Sequence, residues 1–158
     1  MAWAALRVYA DTSVFGGCFD AEFADSSRRL FDQVRAGRFV LITSPLVQSE
    51  IAPAPPMVGE LFDEMLSVAE LIDVGEESLE LQGAYLKAGI VSPAYATDAL
   101  HVALATVGRC RVLASWNFKH IVHFRKIPLY NAINVTNGYE SIAIHAPHEV
   151  VQYEDEDL

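Results

Sequence analysis

A chain of 158 residues, 52% apolar and 20% charged, carries enough apolar surface for one folded domain and too much for a disordered chain. Its net charge of −10 excludes a protein that coats nucleic acid by bulk attraction. No apolar run approaches the ~18 residues that a membrane span requires.

The opening MAWAALRVYAD lacks a basic start before a long apolar stretch. It therefore reads as the run into a first strand, LRVYA (6–10), and not as a signal peptide. DSSRRLFDQVRAG (25–37) has the spacing of a helix: Asp25 can cap it, Leu30, Phe31 and Val34 form the apolar stripe, and Gly37 ends it. RFVLITS (38–44) is a second buried strand that feeds SPLVQSEI, with Ser44 as N-cap and Pro45 at the first helical position. APAPP (52–56) is a stiff break before a helix with Leu61, Phe62, Met65 and Leu66 on one side. AELIDV (69–74) reads as a third strand and EESLELQGAYLKAG (76–89) as another helix.

SPAYATDALHVALATVG (92–108) is a small-residue helix, apolar nearly all round, and so predicted to be deeply buried. RVLAS (111–115) is the fourth strand and AINVTN (132–137) the fifth. Glu154, Asp155, Glu156 and Asp157 sit in a solvated acidic tail, 153–158, beyond a single domain over 1–152. Cys18 and Cys110 match no zinc spacing and read as small packed hydrophobes in a reducing cytoplasm. Strand and helix alternate throughout. That order predicts an α/β fold, a three-layer α/β/α sandwich around a parallel sheet of about five strands.

In such sheets ligands bind beyond the carboxyl ends of the strands. The first strand ends at Asp11, which is expensive to bury unless it meets a metal or strong donors, or closes an Asx turn on its own backbone. Glu50 lies on the helix after the second strand, facing either the same edge or solvent. Asp98 stands among Ala96, Ala99, Leu100, Ala103 and Ala105, where an ionised carboxylate needs a compensating cation unless Thr97 and Asp98 merely cap a later helix start. The fourth strand runs out into Asn117, either a polar member of this cluster or a helix cap. Three acids and an amide without supporting cysteines suit a hard cation, Mg²⁺ or Mn²⁺. A cation so held binds phosphate oxygens and lowers the pKa of a bound water, which favours phosphodiester substrates despite the acidic chain.

YADTSVFGG, SPLVQSEI, ATDALHVALA and ASWNFKHI, in that order and spacing, resemble the PIN-domain family of the bacterial VapC-like toxin type. AINVTNGY and APHEVV fit one of its subgroups, so the resemblance covers nearly the whole chain. It implies a PIN-like fold and a Mg²⁺- or Mn²⁺-dependent ribonuclease that leaves 5′-phosphate and 3′-hydroxyl ends. It also implies the toxin of a toxin–antitoxin pair, with RNA as substrate, a protein antitoxin as partner and a homodimer as the common assembly. Carried over by position, Asp11, Glu50 and Asp98 match the family's metal ligands, Ser13 or Thr12 the hydroxyl after the first acid, and Asn117 a position held by Asp or Asn. Positions 115 to 121 hold no further acid, and His120 falls where some relatives carry Asp.

Around this cluster, His101 lies one turn after Asp98 and is either a satisfied buried histidine or a nitrogen ligand for Mn²⁺. Trp116 and Phe118 are candidates for stacking on unpaired bases or for core packing. Lys119, His120, His123, Arg125 and Lys126 form the one locally basic stretch, a phosphate contact or a solvated face. Arg28, Arg29, Arg35 and Arg38 read as solvent or partner contacts. The chain lacks the glycine patterns of dinucleotide-binding and P-loop folds and the G-x-S-x-G of serine hydrolases. The competing reading is non-enzymatic: a PIN-like module, weakened in metal binding, that holds RNA or a protein without cleavage.

Overall fold

A computed structural model gives the structure of the chain and describes residues 5–151. The predicted acidic tail and the end of the predicted domain at 152 lie outside the described residues. Five strands, β1 (Leu6–Ala10), β2 (Phe39–Thr43), β3 (Glu70–Leu71), β4 (Val112–Ala114) and β5 (Ala143–His145), form one all-parallel sheet in the order β3-β2-β1-β4-β5. Between and after them come α1 (Thr12–Gly17), α2 (Ala24–Arg35), α3 (Pro45–Ile51), α4 (Pro56–Leu66), α5 (Glu76–Lys87), α6 (Ala96–Val107), α7 (Lys126–Thr136) and α8 (Pro147–Val151). One helical layer groups α5 with α6 and α7, the other α2 with α1 and α8. This is the three-layer α/β/α arrangement that the alternation predicts.

Val8, Tyr9 and Ala10 of β1 are fully buried, as a central parallel strand covered on both faces must be. The chain leaves β1 toward β2 and β3 on one side, then returns through α6 to place β4 and β5 on the other. The strand order reverses between β1 and β4, which opens a crevice at their carboxyl ends. Register sets what stands there: Ala10 pairs with Ala114, so the next residues, Asp11 and Ser115, stand side by side.

Local signals place most elements. Ser44 caps α3, its Oγ accepting from the Val47 amide, with Pro45 in the first turn. Gly37 adopts φ +79° just past α2, where Arg38 N–H donates to Gln33 C=O and Gly37 N–H to Val34 C=O, a Schellman closure that favours glycine. Gly17 matters for a different reason. A Cβ there would lie 2.6 Å from Ser27 Oγ and 2.9 Å from Trp116 Nε1. Gly17→Ala is therefore expected to cost about 1–3 kcal/mol in overpacking, against at most ~1 kcal/mol gained in helix propensity. The check is a lower urea midpoint at unchanged m, together with a shift in Trp116 fluorescence.

Several predicted boundaries are corrected. Helix α2 starts at Ala24 with Phe23 at its N-cap, so Asp25 lies inside the first turn and does not cap. Strand β3 is only Glu70–Leu71, and the helix predicted over 92–108 splits into a 3₁₀ turn, Pro93–Tyr95, and α6. Helices α1 and α8 fall where no helix was predicted. The fifth strand is not at 132–137, which belongs to α7, but at Ala143–His145. Tyr130 and Asn134, four residues apart, form the buried face of α7: Tyr130 packs edge-on to Tyr85, while Asn134 accepts from the Tyr85 hydroxyl and donates to Thr106 Oγ1 at 3.2 Å. Of the two residues that suggest a strand, Val135 is exposed and Ile133 packs only partly buried against the core.

Candidate functional site

Asp11 is the N-cap of α1 and is buried, with 4% of its surface exposed. Its Oδ1 accepts from the Ser13 amide at 3.1 Å and the Ser13 hydroxyl at 2.5 Å, and its Oδ2 accepts from Ser115 Oγ at 2.5 Å. It thus makes the Asx-type closure considered from the sequence, but within a buried polar cluster. Burial pushes its carboxyl up, outweighing the charge His101 carries when protonated and the bonds from Ser115 and Ser13. Ser115 also accepts from the Asn117 amide at 2.9 Å, and Ser13 Oγ accepts from the Trp116 amide at 2.9 Å. The end of β4 is thereby stitched to the start of α1.

Glu50 is half-buried on α3. Its Oε1 accepts from Thr12 Oγ1 and from His101 Nε2, both at 2.6 Å. Burial pushes Glu50 up, yet the bonds from His101 and Thr12 prevail and hold it below the usual carboxylate range. Behind it, His101 Nδ1 meets the Tyr9 hydroxyl at 2.9 Å, and Tyr9 meets Ser44 Oγ at 2.9 Å. With Nε2–H donating to Glu50, Nδ1 is left to accept from Tyr9, and Tyr9 to accept from Ser44. This assignment follows from satisfying each atom, and the donors then run one way from Ser44 to Glu50. His101 is therefore a buried histidine with both nitrogens engaged.

Asp98 stands in the first turn of α6, whose N-cap is Tyr95, so it is inside the helix and not its cap. Its charge acts on His120 and Tyr130. Asn117 uses Oδ1 to accept from the Lys119 and His120 amides at 3.2 and 2.9 Å, closing the turn after β4 and leaving Nδ2 as the donor. The structure thus brings Asp11, Thr12, Ser13 and Glu50 together, with Asn117 joined through Ser115. Among the described residues, no three His, Cys, Asp or Glu side chains converge closely enough to enclose a metal.

The donor chemistry nevertheless suits Mg²⁺, which binds through one or two carboxylates and keeps several waters. Both bonds to Glu50 fall on Oε1, and Asp11 Oδ2, which accepts one bond where Oδ1 accepts two, retains acceptor capacity beyond its present partner. Ser115, Tyr9 and Ser44 were not foreseen as site residues. Only the β1–β4 register, invisible in a single sequence, sets Ser115 beside Asp11.

Trp116 stacks on Phe23 at 4.3 Å and on His148 at 5.8 Å, and donates Nε1–H to Ser27 at 2.8 Å. Its ring is held in packing between α2 and α8. Lys119 is exposed in the following loop. Arg28 donates to Cys18 C=O and Arg35 bridges Asp32 and Glu64, so both tie elements of this chain together. Cys18 and Cys110 are free and buried, and burial pushes their thiols up to about 11 and about 12, which leaves them unreactive packing groups. No helix among the described residues is long and apolar enough to cross a membrane.

No protein-family profile matches the chain, and no curated protein matches it. Among solved structures, a chain of VapBC2 from Rickettsia felis, crystallised with a DNA fragment from its promoter, aligns at a TM-score of 0.55 and 15% identity. The alignment covers 88% of this chain and 97% of that one. The five-stranded parallel sheet, its helical layers and this likeness over most of both chains give the chain the three-layer, PIN-like fold of that structure.

Proposed function

We propose that the chain is a Mg²⁺- or Mn²⁺-dependent endoribonuclease, the toxin member of a toxin–antitoxin pair. The observation that carries this reading is Asp11: a carboxylate buried at the β1–β4 crevice, whose charge burial disfavours and which a cation there would compensate. Asp11 and Glu50 would hold the ion directly and Asp98 through water. When bound, such an ion offsets charge developing on phosphate oxygens and lowers the pKa of a water.

The chain's own residues supply the rest. Ser13 and Ser115 fix Asp11, while Thr12 and His101 fix Glu50. Asn117 keeps its NH₂ to orient a water or an acid, and Lys119 is a phosphate contact. The acidic chain suits a basic antitoxin segment, and the likeness to a VapBC2 chain supports such a partner. A homodimer in the cytoplasm completes the proposal.

The test is cleavage of a mixed RNA pool by the purified chain with Mg²⁺ or Mn²⁺, against EDTA and against Asp11→Ala. Cleavage that is lost in both controls supports the nuclease. One observation favours a second reading, a PIN-like module that binds RNA or protein without cutting: no three candidate ligands enclose a metal among the described residues. Absence of EDTA-sensitive cleavage by clean protein would select it.

A further inference from the structure

The five-residue helix α8 is too short to stand on its own and keeps its place by packing on α2. Val150 and Val151 are buried there, and the Gln33 amide of α2 donates to Val151 C=O at 3.4 Å. Earlier in α8, His148 stacks on Trp116, whose backbone N–H donates to Ser13 Oγ beside Asp11. The seat of α8 thus reaches the candidate site through one indole ring.

Val151 is fastened where positive charge is concentrated. Residues 28–38, RRLFDQVRAGR, hold four of the chain's 11 Lys and Arg and a single acid. Arg28 and Arg35 turn toward α1 and α4, onto Cys18 C=O and Glu64. Arg29 stands one turn before Gln33 on the same face of α2, about 6 Å along its axis. Arg38 follows closely, its backbone N–H donating to Gln33 C=O at 2.9 Å. Gln33 therefore delivers Val151 to a point between Arg29 and Arg38. The segment that comes next, QYEDEDL (152–158), carries four acids and no base. Its seven residues can span roughly 25 Å, so both arginines are within reach. Exposed ion pairs are individually weak, and a separate acidic peptide would gain little from two of them. A segment tethered one residue away has an effective concentration in the millimolar range, which favours the chain's own acids as the occupant.

We propose that acidic residues 154–157 dock across Arg29 and Arg38 on α2 of the same chain and clamp α8 to the body. This internal surface stands independently of the ribonuclease reading. The experiment uses the full chain with Glu154→Gln, Asp155→Asn, Glu156→Gln and Asp157→Asn combined, and reads the thermal midpoint. The sign of the shift decides. Without docking, loss of four of the ten excess negative charges relieves self-repulsion and holds or raises the midpoint. With docking, the midpoint falls by roughly 2–6 °C at about 0.01 M salt. The gap then closes at about 1 M, where charges are screened within ~3 Å. Arg29→Gln and Arg38→Gln should each lower the wild-type midpoint by about 1–3 °C and change the neutralised chain little, as shared partners require.

A neutralised chain that melts at or above the wild type overturns the clamp. Arginine variants that cost as much in the neutralised chain as in the wild type assign Arg29 and Arg38 to other contacts and overturn it as well. A gap between wild type and neutralised chain that widens with protein concentration assigns the segment to α2 of a second copy, and overturns docking within one chain.

Discussion

Asp11→Asn is expected to abolish the proposed RNA cleavage, by about a thousandfold or more, and to yield a chain more heat-resistant than the wild type in metal-free buffer at pH 7. The two effects share one cause. The carboxylate sits under Ser13 and Ser115 in a buried crevice, and burial raises its pKa from the ordinary 3.8 despite those bonds. In the unfolded chain the same group is solvated and ionises normally. Below 3.8 both states are protonated and the folded chain bears no penalty. As pH rises through the raised folded value, the unfolded state releases its proton more readily, and stability is lost. The Asn variant has no proton to lose, so its advantage should be largest at neutral pH and shrink as pH falls toward 4. Thermal melts in EDTA across that range read the effect directly. Mg²⁺ should then raise the wild-type midpoint by binding only the folded state, and leave Asp11→Asn unmoved. A variant less stable than wild type at every pH would mean that the three bonds to Asp11 outweigh its burial.

The physical reason for this site is partly written in the sequence. Asp11 follows a run of buried strand residues, and Glu50 follows a Ser–Pro helix start, so local rules suffice to set both near the carboxyl edge of the sheet. Asp98 lies inside α6 because the helix begins at Ala96, before the Thr97–Asp98 pair that can mimic a cap. What local rules miss is pairing at long range. Ser115 reaches Asp11 across 104 positions, and Tyr9 reaches His101 across 92. The misplaced fifth strand has the same origin. Ile133 and Val135 favour a strand by propensity, but Tyr130 and Asn134 find Tyr85 and Thr106 only if the segment is helical. Trp116 shows the limit for recognition surfaces. Its sequence position beside the site suggests base stacking, while Phe23, Ser27 and His148, all distant in sequence, claim the ring for packing.

His101→Ala should do more damage than a buried histidine of purely packing value would. The ring is 3% exposed and links Tyr9 to Glu50, so its removal leaves a cavity and strips a partner from a buried hydroxyl and from a half-buried carboxylate. Together these cost about 2–4 kcal/mol, or a midpoint drop of roughly 5–15 °C for a chain of this size. The separate claim is that His101 positions Glu50, since an outer-shell partner of a ligating carboxylate typically changes metal affinity or activity by about 10–100-fold. Tyr9→Phe isolates that claim. It preserves ring volume and the Nε2 contact, but removes the hydroxyl that fixes Nδ1 and hands the chain back to Ser44. Its stability cost should be small, about 1–2 kcal/mol, while Mg²⁺ affinity measured by calorimetry and the cleavage rate both fall. His101→Ala that loses stability yet binds Mg²⁺ as tightly as wild type would reduce His101 to packing. Tyr9→Phe with unchanged affinity would confine the positioning role to the His101–Glu50 bond, because the donor chain behind the ring would then set nothing at the site.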